Sequence, residues 1–571
     1  MGGEATATVT ASLPSCPWTA VSAVPWIVVS DVSFGVGSGT VRYAASPNLA
    51  SPTQRVGTVT IAGQTVTMTQ AADADTDGDG MTDAWETFFG LNPASIVGAD
   101  GPLGDPDGDN VSNASEFAAR THPAGTIRRY LAEGVANAFF DTDIALFNPG
   151  ATPVATWLRL QPEGGGAELS WPMLVPPGTR RTVTSPIFKS LLGPNGGSFS
   201  TLVEANGVVV VDRTVRWGTG HYGAHAETAV EAPATTWYLA EGSTSGNFEL
   251  FYLLQNPGPD TVTGNIRFLR PAPAPPIDHA VTISPRTRLT IPVDSIAGVA
   301  STDVSGIVTA SAPIIVERAM YLSRPGEPFS AGHGSAGVTA PALQWFLAEG
   351  ATGPFFELFV LIANPGTSTA NVQVEYLLPG GGVLTKSYTV ARESRFTIFV
   401  DAEELPAGSG QHPLANTPVA TRVTATNGVP IIVERAMWWP QPDWYEAHNA
   451  AGTTVTGTRW ALAEGFLGGP DAAETYILIA NTGASAGTAR VSLHFEDGTS
   501  VAHDVALPAQ SRTNVAVSAS FPEAQGRRFG TLIESLGATP APLVVERAMY
   551  ASPGGVTWAA GTAAVATRLT P

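Results

Sequence analysis

The sequence predicts a mainly β protein, organised as a modular array of antiparallel β-sandwiches with one short loop-and-helix segment. A block of about 108 residues occurs four times, and each copy starts near Leu-Ala-Glu-Gly and closes on an acid followed by Arg. The 571 residues include 61 Gly and 46 Pro, which favours many turns and short strands over long helices. Apolar and polar residues alternate between these turns, as they do in half-buried strands.

Composition and repeat markers divide the chain into six segments. Residues 1–72 alternate in the manner of strands, and residues 73–125 are acidic with short helical patches. The four repeats, numbered 1 to 4, occupy residues 126–232, 233–340, 341–456 and 457–571. Within them, strands spaced at about 8–12 residues with turn signals between them predict an immunoglobulin-like sandwich.

The first 72 residues carry a hairpin signal and a set of spaced positions. Apolar and polar residues alternate on both sides of Ala62-Gly63, a pair that suits a two-residue turn. The spaced positions are Cys16-x-Trp18, Trp26-Ile-Val-Val, Gly35 to Gly39, Val41-Arg-Tyr43, Asn48, Arg55-x-Gly57 and Gln70. This set resembles the BACON family of small β-sandwich domains. The resemblance implies a bacterial surface location and a role in carbohydrate or mucin binding, or in spacing.

The BACON-like segment departs from its family at the start. The family usually has a further strand before the Gly2-Gly3 segment, so the resemblance implies a missing first strand and an open sheet edge. An open edge favours pairing with another chain, and therefore a homo-oligomer or a filament formed by strand exchange. A chain boundary placed inside the domain is the alternative explanation.

Two acidic loops match the 12-residue EF-hand pattern position by position. The first offers Asp75, Asp77, Asp79, the Met81 carbonyl, Asp83 (directly or through water) and Glu86. The second, thirty residues later, offers Asp105, Asp107, Asp109, the Val111 carbonyl, Asn113 and Glu116. Oxygen ligands in this number suit Ca²⁺ better than Mg²⁺, so we expect about two Ca²⁺ ions. A solvated acidic linker without metal is the alternative.

A short helix is expected after each loop, whereas the helix that precedes the loop in a full EF-hand is missing. Such Asp-Gly-Asp runs resemble the thrombospondin type 3 and dockerin-like calcium segments of secreted proteins. The resemblance implies ions that stiffen the joint between the first domain and the repeats. If the segment is dockerin-like, the resemblance instead implies that it binds a cohesin partner.

Acidic and Arg residues recur at matching places in the repeats, although only 14% of the chain is charged. The acids are Glu133, Glu241, Glu349 and Glu464 at the start, then Asp141, Glu249, Glu357 and Glu474, and Asp212, Glu317, Glu434 and Glu546 at the close. The Arg residues are Arg213, Arg318, Arg435 and Arg547 beside the closing acids, and Arg181, Arg288, Arg395 and Arg512. We expect structural ion pairs between the first and last strands of each sandwich, because the guanidinium fork satisfies two carboxylate oxygens. A repeated site for a sugar or a cation is the alternative.

Aromatic residues cluster near the end of repeat 3, in a Pro-rich stretch that is predicted to be a loop: Trp438, Trp439, Trp444 and Tyr445. Aromatic faces stack on sugar rings, so these residues form the candidate glycan site, with packing between adjacent repeats as the alternative. Four His residues follow the closing markers without the spacing of a zinc site: His221, His225, His333 and His448.

Charge and motifs exclude several classes of function. A net charge of −20 with only two Lys residues, Lys189 and Lys386, argues against nucleic acid and anionic membranes as partners. No apolar run is long enough for a transmembrane helix, and the first residues lack the pattern of a signal peptide. Cys16 is the only cysteine, so no internal disulfide forms. G-x-S-x-G, H-E-x-x-H and P-loop motifs are missing, so we expect no enzymatic activity.

The sequence therefore predicts a secreted or cell-surface bacterial protein in the form of a rod. It would act as a calcium-stiffened adhesion, scaffold or spacer protein, with glycans or other surface proteins as its partners. A carbohydrate-binding surface protein is one alternative, and a self-assembling extracellular filament subunit is the other.

Overall fold

The computed structural model describes residues 2–24, 26–29, 34–49, 53–218 and 220–570. It confirms the predicted fold class, because 53% of the chain is in strands and 7% in helices, and the strands pair antiparallel in many sheets. None of the helices in these ranges is long and apolar enough to cross a membrane.

The N-terminal domain is a sandwich of two small sheets. Its strands are β1 (Gly3–Val9), β2 (Pro17–Ser22), β3 (Ile27–Val29), β4 (Phe34–Val36), β5 (Gly39–Ala45), β6 (Arg55–Ile61) and β7 (Gln64–Gln70). One sheet has the order β1-β5-β3 and the other β4-β2-β6-β7. The predicted hairpin at Ala62-Gly63 is confirmed, since both residues have positive φ and join β6 to β7. The sheet edge at the N-terminal end is formed by β1 itself; strand exchange through it stays a prediction.

The acidic segment contains two short helices, α1 (Asp83–Phe89) and α2 (Asn113–Ala119), each directly after one of the acidic loops. Gly90 ends α1 in a left-handed conformation, as helix C-termini commonly do. Helix α1 buries Trp85 and Phe89 in a cluster with Leu49 of the first domain and Trp157 of repeat 1. The segment is therefore packed between two domains and is not a free linker.

Each repeat is a sandwich of two antiparallel sheets. Repeat 1 contains β8 (Ile127–Leu131), β9 (Val135–Ala136), β10 (Phe140–Asn148), β11 (Val154–Pro162), β12 (Leu169–Val175), β13 (Thr179–Val183), helix α3 (Ser185–Leu192), β14 (Gly197–Ala205), β15 (Val210–Trp217) and β16 (Gly223–Thr228). Repeat 2 contains β17 (Ala234–Leu239), β18 (Phe248–Asn256), β19 (Val262–Leu269), β20 (Ile277–Ile283), β21 (Thr287–Pro292), β22 (Ser305–Arg324) and β23 (Glu327–Ala336). In repeat 1 the sheets have the orders β13-β10-β15-β16 and β12-β11-β14-β8.

Repeats 3 and 4 follow the same plan. Repeat 3 contains β24 (Gln344–Leu347), β25 (Glu357–Asn364), β26 (Ala370–Leu377), β27 (Val383–Val390), β28 (Ser394–Phe399), β29 (Ala420–Ala425), β30 (Ile432–Trp439) and β31 (Glu446–Ala451). Repeat 4 contains β32 (Arg459–Leu462), β33 (Glu474–Asn481), β34 (Gly487–Phe495), β35 (Ser500–Leu507), β36 (Ser511–Ala516), helix α4 (Val517–Ser520), β37 (Phe529–Leu536), β38 (Leu543–Ala551), β39 (Ala560–Val565) and β40 (Thr567–Thr570). Short 3-10 helices lie at Val293–Ser295, Val400–Ala402, Pro522–Ala524 and Pro553–Gly555.

A buried Asn closes the same turn in every repeat. Asn148 donates from its amide to the carbonyls of Thr152 and Val175, and its side-chain oxygen accepts the N–H of Gly150. Asn256, Asn364 and Asn481 make the corresponding bonds, and all four are fully buried. The side-chain amide replaces the backbone groups that a sheet would otherwise supply, and this fixes how the chain leaves the strand that ends at the Asn.

The four repeats form a closed ring and not the rod that the sequence suggested. One strand of each repeat, β16, β23, β31 or β39, is here called its closing strand. These strands pack in cyclic order: β16 on β23, β23 on β31, β31 on β39, and β39 on β16. Asp212 of repeat 1 accepts the N–H groups of Ala463 (2.7 Å) and Glu464 (2.9 Å) of repeat 4, which joins the two ends. A head-to-tail interface generates a ring when its rotation closes, and here it closes after four copies.

Candidate functional site

The first acidic loop is wound around the carboxylate of Asp75. One oxygen of Asp75 accepts the N–H groups of Gly78 (2.7 Å) and Asp79 (3.2 Å), and the other accepts that of Gly80 (3.0 Å). Gly80 has a positive φ, which the sharp turn requires. As a result, Asp75, Asp77 and Asp79 each bring one carboxylate oxygen within 4.8 Å of the others.

The second acidic loop repeats this geometry. Asp105 accepts the N–H groups of Gly108 (2.9 Å), Asp109 (3.1 Å) and Asn110 (3.0 Å). Asn110 takes the place of the glycine and adopts the positive φ that Asn tolerates. Asp105, Asp107 and Asp109 form the second group of oxygens within 4.8 Å. The two loops therefore repeat at the level of individual hydrogen bonds.

A buried glutamate completes each loop. Neither oxygen of Glu86 has a hydrogen-bond partner among the described residues. The same is true of one carboxylate oxygen in each of Asp77, Asp79 and Glu116. Burial, and then the charges of Asp79 and Asp77, raise the pKa of Glu86 to about 8. Burial and the charge of Asp107 raise the pKa of Glu116 to about 8 as well. Unpaired buried carboxylates are costly, and a cation among them removes the cost.

The remaining predicted ligands are placed differently. The carboxylate of Asp83 lies outside the first group, because its oxygens accept the N–H (2.8 Å) and the hydroxyl (2.6 Å) of Thr76. Asn113 donates to the carbonyls of Ala99 and Gly101 and keeps a buried side-chain oxygen without a partner in the described ranges. The carbonyls of Met81 and Val111 stay predicted ligands. Asp83 thus braces the first loop, whereas Asn113 has the free oxygen that a ligand needs.

The acidic segment is bonded to both of its neighbours. The Thr82 hydroxyl donates to the carbonyl of Leu49 in the first domain (2.6 Å). On the other side, His122 is buried, contacts the ring of Phe89, and bonds through Nε2 to the carbonyl of Ala155 in repeat 1 (3.1 Å). Its Nδ1 accepts the N–H of Ala124 (3.1 Å), so the neutral ring satisfies both partners. Burial lowers the pKa of His122 to about 4.

The predicted ion pairs exist, but most of the network runs between repeats. In repeat 1, Arg213 contacts Glu133 (3.0 Å) and, across the interface, Glu317 of repeat 2 (2.5 Å). The same Glu317 accepts the N–H of Ala132 (2.8 Å). Burial opposes ionisation of Glu133, yet His225 and Arg213 lower its pKa to about 2. Pairs within one sandwich are therefore present, as in Glu133 with Arg213, but each closing acid also reaches back into the preceding repeat.

The same arrangement recurs around the ring with small changes. Arg318 contacts Glu241 (3.3 Å) and Glu434 (2.8 Å); Arg435 contacts Glu546 (2.9 Å); and Glu349 contacts Arg512 (2.8 Å). Arg547 donates to Thr562 (3.0 Å), and Glu464 pairs with Arg180. These charged side chains are all buried, so the interfaces between repeats are polar at their centres.

In repeat 1 the second recurring arginine is Arg180, and the sequence-based prediction of Arg181 is wrong. Arg288, Arg395 and Arg512 each donate to the glycine carbonyl of Leu-Ala-Glu-Gly in the preceding repeat. In repeat 1 the corresponding bonds, to Ala463 and Glu464, come from Arg180. Thr179 pairs with Asn148, so the next residue, Arg180, takes the register of the other three, and Arg181 points to the opposite face.

The aromatic residues of repeat 3 are divided between interior and surface. Trp438 and Trp439 lie buried in β30 and not in a loop; Trp438 contacts Phe248 of repeat 2, and Trp439 contacts Tyr550 of repeat 4. Packing between repeats, the alternative for these residues, is what the structure shows. Only Trp444 and Tyr445 lie in the following loop, and Tyr445 is 42% exposed. Trp438 and Trp439 are therefore not a sugar-stacking surface.

The carboxylate of Glu446 lies on the axis of the ring and is not among the site residues predicted from the sequence. Glu446 opens the closing strand β31, and its buried carboxylate accepts the N–H of Ala224 in repeat 1 (2.9 Å) and of Gly332 in repeat 2 (3.1 Å). It also accepts the N–H of Ala447 in its own repeat (2.9 Å) and bonds to the N–H of Gly561 in repeat 4. One carboxylate thus connects all four repeats. The signal in the sequence was an acid at a position where the other repeats have Gly223, Ala331 and Ala560.

Comparisons with known proteins give no family. No family model and no curated protein matches the chain. The Thermotoga maritima 1070 crystal structure is 18% identical over 19% of this chain and 96% of its own, with a TM-score of 0.18. The Anabaena sensory rhodopsin transducer is 19% identical over 15% of this chain and 93% of its own, with a TM-score of 0.13. A tetra-tandem repeat from the extending region of a large adhesion protein is 11% identical over 74% of this chain and 93% of its own, with a TM-score of 0.09. Likeness at this level carries no argument about function.

Proposed function

We propose that the chain is a non-catalytic, secreted or cell-surface modular protein that serves as an adhesion, scaffold or spacer element and whose first joint is stiffened by two Ca²⁺ ions. The observation that carries the proposal is a buried glutamate in each loop, Glu86 in the first and Glu116 in the second. Each has at least one oxygen without a partner among the described residues, and each lies in a loop whose three aspartates converge. Such a cluster repels itself when its carboxylates are ionised, and a bound cation removes this repulsion.

The donor set favours calcium among the common metals. The candidate ligands are carboxylate, amide and carbonyl oxygens, and neither acidic loop contains a cysteine or a histidine. Six or more oxygens on a flexible loop suit Ca²⁺, whereas Mg²⁺ demands a tighter octahedron and retains water. Sites of modest affinity are filled at extracellular calcium concentrations, which supports a location outside the cell.

The position of the acidic loops explains how bound ions would stiffen the joint between the first domain and repeat 1. Helix α1 begins at the end of the first loop and carries Trp85 and Phe89 into the cluster shared with Leu49 and Trp157. A bound ion that holds Asp75 to Glu86 together also holds this helix against both neighbouring domains. Loss of the ion would release the joint and leave the ring intact.

Calorimetric titration of the full chain with Ca²⁺, after chelator treatment, tests the proposal. We expect two ions to bind, one ion to bind to Glu86→Gln or to Glu116→Gln, and none to the double variant. Asp260→Asn, which changes an exposed acid in repeat 2, is the matched control and should bind two. Unchanged stoichiometry in the double variant, or no heat at millimolar Ca²⁺, would contradict the proposal.

A further inference from the structure

Four hairpins surround one end of the ring axis and line a cavity that is open to solvent. They join each closing strand to the strand before it, between β15 and β16, β22 and β23, β30 and β31, and β38 and β39. The cavity has a volume of about 340 Å³, and every repeat contributes to its wall. We call it the axial mouth; its lining includes Tyr222, Arg324, Glu327, Ser330, Tyr445 and Val556. The volume lies within the usual range of small-molecule sites.

A strained backbone position recurs in all four hairpins. His221, Phe329, Trp444 and Trp558 have φ values of 56°, 53°, 48° and 50°, in a region that bulky residues rarely enter. Such strain is unfavourable and tends to accumulate at binding sites. In each hairpin the next residue lines the axial mouth: Tyr222, Ser330, Tyr445 and Ala559. The strain therefore holds four side chains at the rim of one cavity.

The two rim tyrosines come from opposite sides of the ring. Tyr222 belongs to repeat 1 and Tyr445 to repeat 3, and these repeats are not neighbours in the cyclic order. Tyr222 is fixed through its hydroxyl, which donates to the carbonyl of Pro328 (2.8 Å). Tyr445 is held from one face by the guanidinium of Arg324, 4.8 Å from the ring centroid. Both aromatic groups are thus held in place before any ligand arrives, which lowers the cost of binding.

The polar groups of the axial mouth carry one charge of each sign. An N–H of Arg324 donates to the carbonyl of Trp444 (2.9 Å), and in the described part of the chain the guanidinium has no carboxylate partner. Glu327 is exposed on the same hairpin. Arg324 supplies donors and Glu327 supplies acceptors, so together they disfavour a net charge on the ligand. Glu446, the residue after Tyr445, is already saturated by N–H groups and binds no ligand.

We propose that the axial mouth is a single sugar-binding site that takes one neutral pyranose ring, with its C–H face on Tyr445 and its hydroxyl groups on Arg324 and Glu327. An aromatic wall beside a donor and an acceptor is the chemistry that recognises a neutral polyhydroxylated ring, whereas phosphate or carboxylate ligands would meet Glu327 and a chain of net charge −20. The site is independent of the calcium loops, and one ring of four repeats holds one copy.

A glycan array of neutral and sialylated oligosaccharides tests this assignment, with saturation-transfer NMR against the best neutral hit to detect weak binding by the full chain. We expect the unaltered chain to bind neutral glycans, and both Tyr445→Ala and Glu327→Gln to weaken binding at least about tenfold. Phe34→Ala is the control, because it removes an exposed aromatic ring of the N-terminal domain instead. Melting curves establish that each variant is folded; if Tyr445→Ala is not, Glu327→Gln carries the test.

The other outcomes would overturn the proposal. Binding that survives both rim variants but is lost in Phe34→Ala would place sugar recognition in the first domain. Binding confined to sialylated glycans would contradict a neutral ligand. No glycan bound on the array or in the NMR experiment at millimolar sugar would remove the site altogether.

Discussion

Replacement of Arg318 by Met tests whether the buried charges hold the ring together. Arg318 is fully buried, contacts Glu241 at 3.3 Å and Glu434 at 2.8 Å, and donates to the carbonyl of Glu241 at 2.8 Å. Met fills a similar volume, but it leaves two buried carboxylates without the guanidinium that balances their charge. Removal of one member of a buried ion pair costs about 3–5 kcal/mol. We therefore expect Arg318→Met to destabilise the interface of repeats 2 and 3 by that amount.

Differential scanning calorimetry measures this cost and also reports how the ring melts. At roughly 2.1 cal/mol/K of unfolding entropy per residue, a cooperative unit of about 450 residues would lose about 3–5 °C. If each repeat melted alone as a unit of about 110 residues, the same cost would lower one transition by about 13–22 °C. Because each closing acid is shared by two repeats, we expect the smaller shift of one large transition.

Two further variants separate the charge effect from simple loss of packing. Addition of Glu241→Gln and Glu434→Gln to Arg318→Met removes the stranded charges and should recover most of the loss. Arg490→Met breaks an exposed pair with Asp504 in repeat 4 and should leave the transition unchanged. A shift below about 1 °C for Arg318→Met, or no recovery in the triple variant, would refute the reasoning.

Three other predictions concern the joint, the shape and the axis. His122 is neutral when folded, with a pKa of about 4 against 6.5 when unfolded, so its contribution is complete above about pH 6.5 and is lost as pH falls towards 4. The loss should approach about 3 kcal/mol at 1.36 kcal/mol per pKa unit, and melting curves of His122→Gln should lack this part of the pH dependence; equal slopes would contradict it. Small-angle scattering should give a radius of gyration near 25 Å, the value for a compact chain of this length, whereas a much larger value would support a rod. Glu446→Ala leaves buried N–H groups unpaired and should lower the melting temperature of the ring; an unchanged value would show that the axial bonds do not matter.

Features that depend on neighbouring residues could be predicted from the sequence. The Ala62-Gly63 turn and the wrapping of the first loop around Asp75 each lie within a dozen residues, so local geometry decides them. The prediction that Trp438 and Trp439 lie in a loop was wrong, because it rested on the prolines that follow them. The structure places both residues in a strand, where they pack between repeats.

Closure of the ring could not be predicted from neighbouring residues. The bond from Ala463 to Asp212 joins residues 251 positions apart, and nothing near either residue indicates the other. Four similar blocks suggest a linear stack, because in most repeat proteins each unit contacts only its neighbours along the chain. The recurring acids gave no hint of closure, because each repeat also contains Arg residues that can pair with them. Which repeat supplies the partner depends on the rotation between sandwiches, and the sequence does not carry this information in any local pattern.

A single chain of four repeats can do what four identical copies cannot. Glu446 occupies a position on the axis where the other repeats have Gly223, Ala331 and Ala560, and its one carboxylate receives N–H groups from all sides. Four copies of this residue would bring four carboxylates together on the axis, where like charges in a dry site repel strongly. Four copies of glycine or alanine would leave the N–H groups without an acceptor. Because the repeats are covalently joined, one of them can differ from the rest, and the same freedom places two tyrosines rather than four at the axial mouth.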